Sequence, residues 1–251
     1  MHRYLILFVM ALTTACSSQP KVTSGVDITD IQKNPAIEGF INTQIGDDPW
    51  PQVGCLIKNG RTSCTGTLVA PNVVLTAGHC VVFDDEVMFE LFDGRLYGVT
   101  EIIRYPKNES YVFFNDVALL VLDDFISDIE PLQIAQHNFM SKGYPLDVVG
   151  YSRGWKKHSK PNVFWYYGIL IGEENLFKTL PYEASVWFGD SGGPAIATFN
   201  GDRYIVGVTS SLSIRKDTFI TENSFARLDV IYDWLDDNIA SHSVCEGESA
   251  R

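Results

Sequence analysis

Short apolar runs, each closed by a turn signal, set the rhythm of the chain. Val53 to Ile57 ends before Asn59-Gly60, Gly66 to Val69 ends before Pro71-Asn72, and Val73 to Thr76 follows at once. Further runs are Val117 to Leu122, Leu146 to Tyr151, Val163 to Ile171, and Tyr204 to Thr209 after Asn200-Gly201. Asn-Gly pairs accept the positive φ of tight hairpins, and short runs rich in β-branched and aromatic residues form strands. The pattern predicts an antiparallel all-β fold. Apolar periodicity weakens between Pro131 and Gly143, a candidate seam. The period changes only near the end, where Val230, Ile231, Trp234, Leu235 and Ile239 share one face at helical spacing, opposite Asp233, Asp236 and Asp237. This predicts a terminal amphipathic helix packed on the β core.

Composition adds limits to this picture. With 45% hydrophobic and 20% charged residues, the 251-residue chain matches an ordinary soluble globular protein and can build a sizeable core without a metal. The net charge of −12 comes with no cluster of Lys and Arg that would hold phosphates, which argues against nucleic-acid partners. The acidic surface reads as a solvated one that keeps the protein soluble.

The first residues carry a separate signal. His2 and Arg3 precede the apolar run Tyr4 to Leu12, and Thr13-Thr14-Ala15-Cys16 follows. A basic start, a short greasy core and small residues mark an export signal, too short for an ordinary membrane span. Two outcomes are open. Cys16 is a lipidation candidate in a lipobox-like setting that would anchor the protein to a bacterial membrane, although Leu12 sits one position too far upstream. Alternatively, a plain secretory signal is cut near Ala15. Residues 17–36 are small and polar, and read as a tether or pro-segment. Export permits disulfides, and the cysteines other than Cys16 are Cys55, Cys64, Cys80 and Cys245, an even number suited to two bridges.

Three segments carry chemistry. In Gly189-Asp190-Ser191-Gly192-Gly193-Pro194, glycines flank a serine, so the backbone can turn tightly, leave room for a substrate carbonyl and point amides at its oxygen. In Leu75-Thr76-Ala77-Gly78-His79-Cys80, a histidine stands beside a cysteine. A Cys64–Cys80 bridge would tie this strand–turn–strand unit together and fix the backbone next to His79. In Asn115-Asp116-Val117-Ala118-Leu119-Leu120, an acid opens an apolar strand, where it could take the proton of one ring nitrogen of His79 and leave the other basic. A strand-capping Asp is the competing reading.

Together these segments resemble the chymotrypsin-like (trypsin-like) serine proteases, as a bacterial exported member. The order His, Asp, Ser separates this family from subtilisins and α/β-hydrolases. The resemblance covers roughly Ile37 to Ile239. It implies two packed antiparallel six-stranded β-barrels with a C-terminal α-helix and the active site in the cleft between them. The expected layout is an export signal at 1–16, the tether at 17–36 and a peptidase domain at 37–240. Within that domain the first barrel spans about 37–135, the second about 136–228 and the helix about 229–240, with a tail at 241–251. The resemblance also implies the catalytic set His79, Asp116 and Ser191, an oxyanion hole from the amides of Gly189 and Ser191, and no cofactor. Protein or peptide substrates and a monomeric enzyme complete that expectation.

Further expectations rest on the same resemblance. A mature amino terminus at Ile37 would bury itself against Asp190, which implies a zymogen, although Asn34-Pro35-Ala36 lacks the usual basic residue and Glu38 replaces an apolar one. Ser185 stands where trypsin-like members carry Asp, so Lys or Arg specificity is not expected. Ser185, Ser210, Leu212 and Asn223 fall at the substrate pocket, with Leu212 narrowing it toward small or medium apolar side chains. A Cys55–Cys245 bridge would join the terminal helix region to the first barrel. Asp84, Asp85, Glu86 and Asp93 lie where some relatives bind calcium, but their spacing matches no ligand loop. The alternatives are a catalytically silent relative serving as a surface binding module, and an esterase using the same triad. The first usually lacks a triad residue, and none is missing here. Only peptide-bond cleavage separates the second.

Overall fold

The computed structural model describes residues 5–6, 40–42, 50–82, 86–106, 115–151, 157–159, 162–170, 173–180, 186–214 and 221–243. Strands dominate in chain order: β1 (Leu5–Ile6), β2 (Phe40–Asn42), β3 (Val53–Lys58), β4 (Arg61–Ala70), β5 (Val73–Thr76), β6 (Val87–Glu90), β7 (Leu96–Arg104) and β8 (Ala118–Leu122). They continue as β9 (Gln133–Ile134), β10 (Pro145–Gly150), β11 (Lys157–Ser159), β12 (Asn162–Leu170), β13 (Glu173–Leu180), β14 (Pro194–Phe199), β15 (Asp202–Ile214) and β16 (Thr221–Arg227). Helix α1 (Tyr232–His242) closes the described chain.

The hairpin signals act where the sequence puts them. Asn59 and Gly60, with φ of 51° and 73°, turn β3 into β4, and Asn200 and Gly201, with φ of 53° and 95°, turn β14 into β15. Two consecutive positive φ values match the twist of the flanking strands.

Strands β3-β4-β5-β8-β7-β6 close into an antiparallel barrel. Its strands bury Leu56, Leu68, Leu75, Phe89, Leu119 and Leu120, all essentially inaccessible to solvent. Each such side chain contributes roughly 1.5–3 kcal/mol on burial. In the second half, β10 pairs β12, β12 pairs β13, β13 pairs β16, β16 pairs β15, β15 pairs β14, and β14 returns to β10. That circuit of six antiparallel strands encloses a second apolar cluster, with Phe177 stacked on Phe225 at 4.9 Å. The first cluster reaches across to Val149, Ile196 and Val208 of this half.

Helix α1 lies against the first barrel. Trp234 meets Tyr105 edge-on at 5.1 Å, and Asn72 Nδ2 donates to the carbonyl of His242 at 2.9 Å. The apolar face begins later than the periodicity predicts. A 3-10 turn occupies Asp229–Ile231, and this leaves Val230 exposed while Ile231 and Leu235 are buried. Strand β7 escaped the apolar pattern because its outer positions face water, and β16 because its buried side chains include the polar Asn223 and Ser224.

Candidate active site

His79 sits in a 3-10 turn, Gly78–Val81, directly after β5. The neighbouring Cys80 is bridged to Cys64 of β4, so the disulfide straps this turn to the barrel wall as the sequence suggests. Asp116 stands just before β8, and β8 pairs with β5 so that Ala118 lies opposite Thr76. Strand pairing therefore carries the acid to the histidine across 37 residues of chain.

The contact is double. His79 Nδ1 lies 2.6 Å from Asp116 Oδ2, and the His79 backbone N–H donates to Asp116 Oδ1 at 2.8 Å. Asp116 is fully buried and the His79 side chain is only 6% exposed. The Ser210 hydroxyl donates to the same Asp116 Oδ2 at 2.7 Å. Burying a carboxylate is costly unless it is hydrogen-bonded, and these donors satisfy it. Burial, the largest influence on the His79 ring, disfavours its charged form. The charge of Asp116 and its hydrogen bond outweigh that and hold the His79 pKa above its ordinary value. The geometry leaves Nε2 as the ring nitrogen facing away from the acid, available as a base.

Ser191 comes from the other half, in the loop leading into β14, and is half-buried. Its carbonyl accepts the backbone N–H of Thr65 at 2.8 Å, so the loop is stitched to β4 of the first barrel. The Cys80 sulfur lies 3.8 Å from both His79 Nε2 and the Ser191 carbonyl. One disulfide thus touches the histidine and the serine backbone together. Gly192 has φ +85°, and a Cβ there would come within 2.2 Å of the Thr65 carbonyl and 2.3 Å of Thr76 Oγ1. Only glycine fits the position beside the serine.

Before Ser191 the chain turns tightly. Asp190 N–H donates to the Trp187 carbonyl at 2.9 Å, and the Trp187 N–H donates to Asp190 Oδ2 at 2.6 Å. Gly189, at φ +97°, forms the turn, and the Asp190 carboxylate is buried against Gly150. Gly189 and Ser191, expected to supply oxyanion amides, thus flank a well-held peptide.

Of the residues expected at the pocket, Leu212 and Asn223 lie directly opposite each other on β15 and β16. Asn223 is fully buried, with Oδ1 accepting the Val186 N–H at 3.1 Å and Nδ2 donating to Thr179 Oγ1 at 3.3 Å. Ser210, also expected along the pocket, directs its hydroxyl to Asp116. Its signal is legible afterwards: Thr209 and Ser210 interrupt the apolar run of β15 with buried polar side chains. Cys55 is buried, with Sγ 3.8 Å from Glu90 Oε2. Asp93 pairs with Arg95 at 2.8 Å, and Arg95 also reaches Asp128. Ile37, Cys16, Ser185, Cys245, Asp84 and Asp85 lie outside the described residues. Among the described residues, no helix is long and apolar enough to cross a membrane.

Comparison with known proteins agrees with this geometry. The family model described as Trypsin matches residues 37–235. The chain is 28% identical to chymotrypsin-C of Bos taurus over 213 residues, covering 71% of this chain and 79% of that protein. It is 24% identical to neutrophil elastase of Mus musculus over 216 residues, covering 77% and 80%. It is 26% identical to chymotrypsin-like elastase family member 3A of Homo sapiens over 214 residues, covering 72% and 79%. The chain therefore belongs to the trypsin family, as a serine endopeptidase acting on proteins or peptides.

Proposed function

We propose that Ser191 is the nucleophile of an acyl-enzyme mechanism served by His79 and Asp116. The observation that carries this reading is the buried pairing of His79 Nδ1 with Asp116 Oδ2 at 2.6 Å, which keeps Nε2 as a base. His79 takes the Ser191 proton as the hydroxyl attacks the peptide carbonyl, and the charged ring is stabilised by Asp116. The amides of Gly189 and Ser191 receive the developing oxyanion, and each such donor is worth about 100- to 1000-fold in rate. His79 returns the proton to the leaving amine, and water then attacks the acyl-enzyme by the same route.

The enzyme is made as a zymogen and activated by cleavage before Ile37, whose new ammonium group pairs with Asp190. The position of Asp190, fully buried directly before Ser191, supports this. Its primary pocket takes small or medium apolar side chains rather than Lys or Arg. The buried Asn223 opposite Leu212, bonded to the Val186 N–H, supports a shallow, uncharged floor. The protein is exported, in keeping with its Cys64–Cys80 bridge, and works as a monomer. Cys16 is the candidate lipid attachment point, with a plain secretory cut near Ala15 as the alternative.

The test is to replace residues 32–36 of the full chain with an enteropeptidase site and to measure cleavage of a mixed quenched-peptide library. Cleavage that appears only after the cut, is absent from Ser191→Ala, and falls after small apolar residues is expected. Equal cleavage before the cut overturns the zymogen reading, and cleavage after Lys or Arg overturns the pocket reading.

A further inference from the structure

Thr65 touches both halves of the catalytic machinery, yet no part of the mechanism above uses its side chain. It follows Cys64 on β4 and is fully buried. Its backbone is pinned at both ends. The N–H donates to the Ser191 carbonyl at 2.8 Å, and the carbonyl accepts Thr76 Oγ1 at 2.8 Å. Its hydroxyl is used in both directions. Oγ1 donates to the Gly189 carbonyl at 2.7 Å and accepts the Tyr151 N–H, at the end of β10, at 3.0 Å.

A hydroxyl carries one proton, so the direction is fixed: the proton goes to Gly189 and the lone pair to Tyr151. The peptide between Gly189 and Asp190 is therefore held at both ends, its oxygen by Thr65 and its nitrogen by the Trp187 carbonyl. Gly189, at φ +97°, has no Cβ to limit its torsions, and it is the residue whose own amide serves the oxyanion. Fixing the plane on its far side restricts the torsions that aim that amide. The anchor is stiff, because Thr65 belongs to a closed barrel and adjoins a disulfide.

We propose that Thr65 is a positioning residue for the oxyanion hole: its hydroxyl clamps the Gly189 carbonyl to the first barrel and so orients the Gly189 amide for the transition state. This inference rests on the peptidase reading. It predicts an effect on kcat rather than on substrate binding, because oxyanion contacts strengthen only in the transition state.

The test uses the full chain, activated as above, with Thr65→Val, Thr65→Ala and Thr65→Ser beside the wild type. Valine keeps the shape and removes the hydroxyl, and serine keeps the hydroxyl. Thr65→Val should lower kcat about 10- to 100-fold, short of the loss of a whole oxyanion donor, with KM within about twofold. Affinity for an alkyl boronic acid, which forms a tetrahedral adduct with an oxygen in the oxyanion hole, should fall in parallel. Thr65→Ser should restore kcat to within about threefold of wild type. If valine fails to fold, alanine is read in its place. A wild-type kcat in the valine or alanine variant, or an equal loss in the serine variant, overturns the proposal. So does the collapse of both valine and alanine folds while serine folds, which would make the hydroxyl a folding requirement only. A wild type that cleaves no peptide overturns the peptidase reading itself, and this inference with it.

Discussion

Replacing Asp116 by Asn removes one charge and leaves almost every atom in place, so its effect isolates what the carboxylate does. In the native site Oδ2 faces His79 Nδ1 at 2.6 Å and also takes the Ser210 hydroxyl. An amide nitrogen at Oδ2 would present its own protons to Nδ1. His79 would then keep its proton on Nε2, the nitrogen that must be bare to accept from Ser191. The template triad of this family loses about 10⁴-fold in kcat on the same change, equivalent to about 5 kcal/mol of barrier. A second consequence concerns pH. His79 is useful as a base only when neutral, so activity falls as pH drops through its pKa, which Asp116 holds above the ordinary 6.5. Without the carboxylate charge, burial acts alone and disfavours the imidazolium. The acid limb of the residual activity should therefore move to lower pH, from above 6.5 to below it. The assay is kcat/KM for a peptide substrate between pH 5 and 10, with a thermal melt to verify folding. A loss smaller than about tenfold, or an acid limb that stays in place, would refute the proposed role of Asp116.

Other perturbations address the frame that holds the site. Gly192→Ala should abolish activity and lower the melting temperature, since the new Cβ would sit 2.2 Å from the Thr65 carbonyl at φ +85°; a folded, active variant would contradict the close packing of the serine loop on β4. Reducing the Cys64–Cys80 bridge, which closes a loop of sequence separation 16, should cost about 3 kcal/mol of stability, and an unchanged denaturant midpoint would argue that the strap is dispensable. Phe177→Ala empties a fully buried site stacked on Phe225 and should cost about 3–5 kcal/mol; urea unfolding checks it, and a cost under about 1 kcal/mol would mean that the second barrel relaxes around the void.

Much of this was legible in the sequence because local rules and chemistry agreed. The Asn-Gly turns, the run Val73 to Thr76 and the three motif segments all fall where the residues indicate. Strand β16 was not legible, since Thr221-Glu222-Asn223-Ser224 looks like a loop until β13 and β15 pair with the strand on either side. The hydroxyl of Ser210 could not be aimed from sequence, because strand alternation gives a face and not a partner 94 residues away. Thr65 was invisible for the same reason: a threonine in a strand is ordinary, and its link to Gly189 spans 124 residues. Val230 shows the limit of periodicity, as a 3-10 turn shifts the helical face at the helix start.

The most direct test of the account is to label the activated protein with a fluorophosphonate and locate the modified residue by mass spectrometry. The account predicts one adduct, on Ser191, formed faster as pH rises through the His79 pKa and lost in His79→Ala. An adduct on another residue, or labelling of Ser191 that ignores His79, would contradict the assignment of Ser191 as a nucleophile activated by His79.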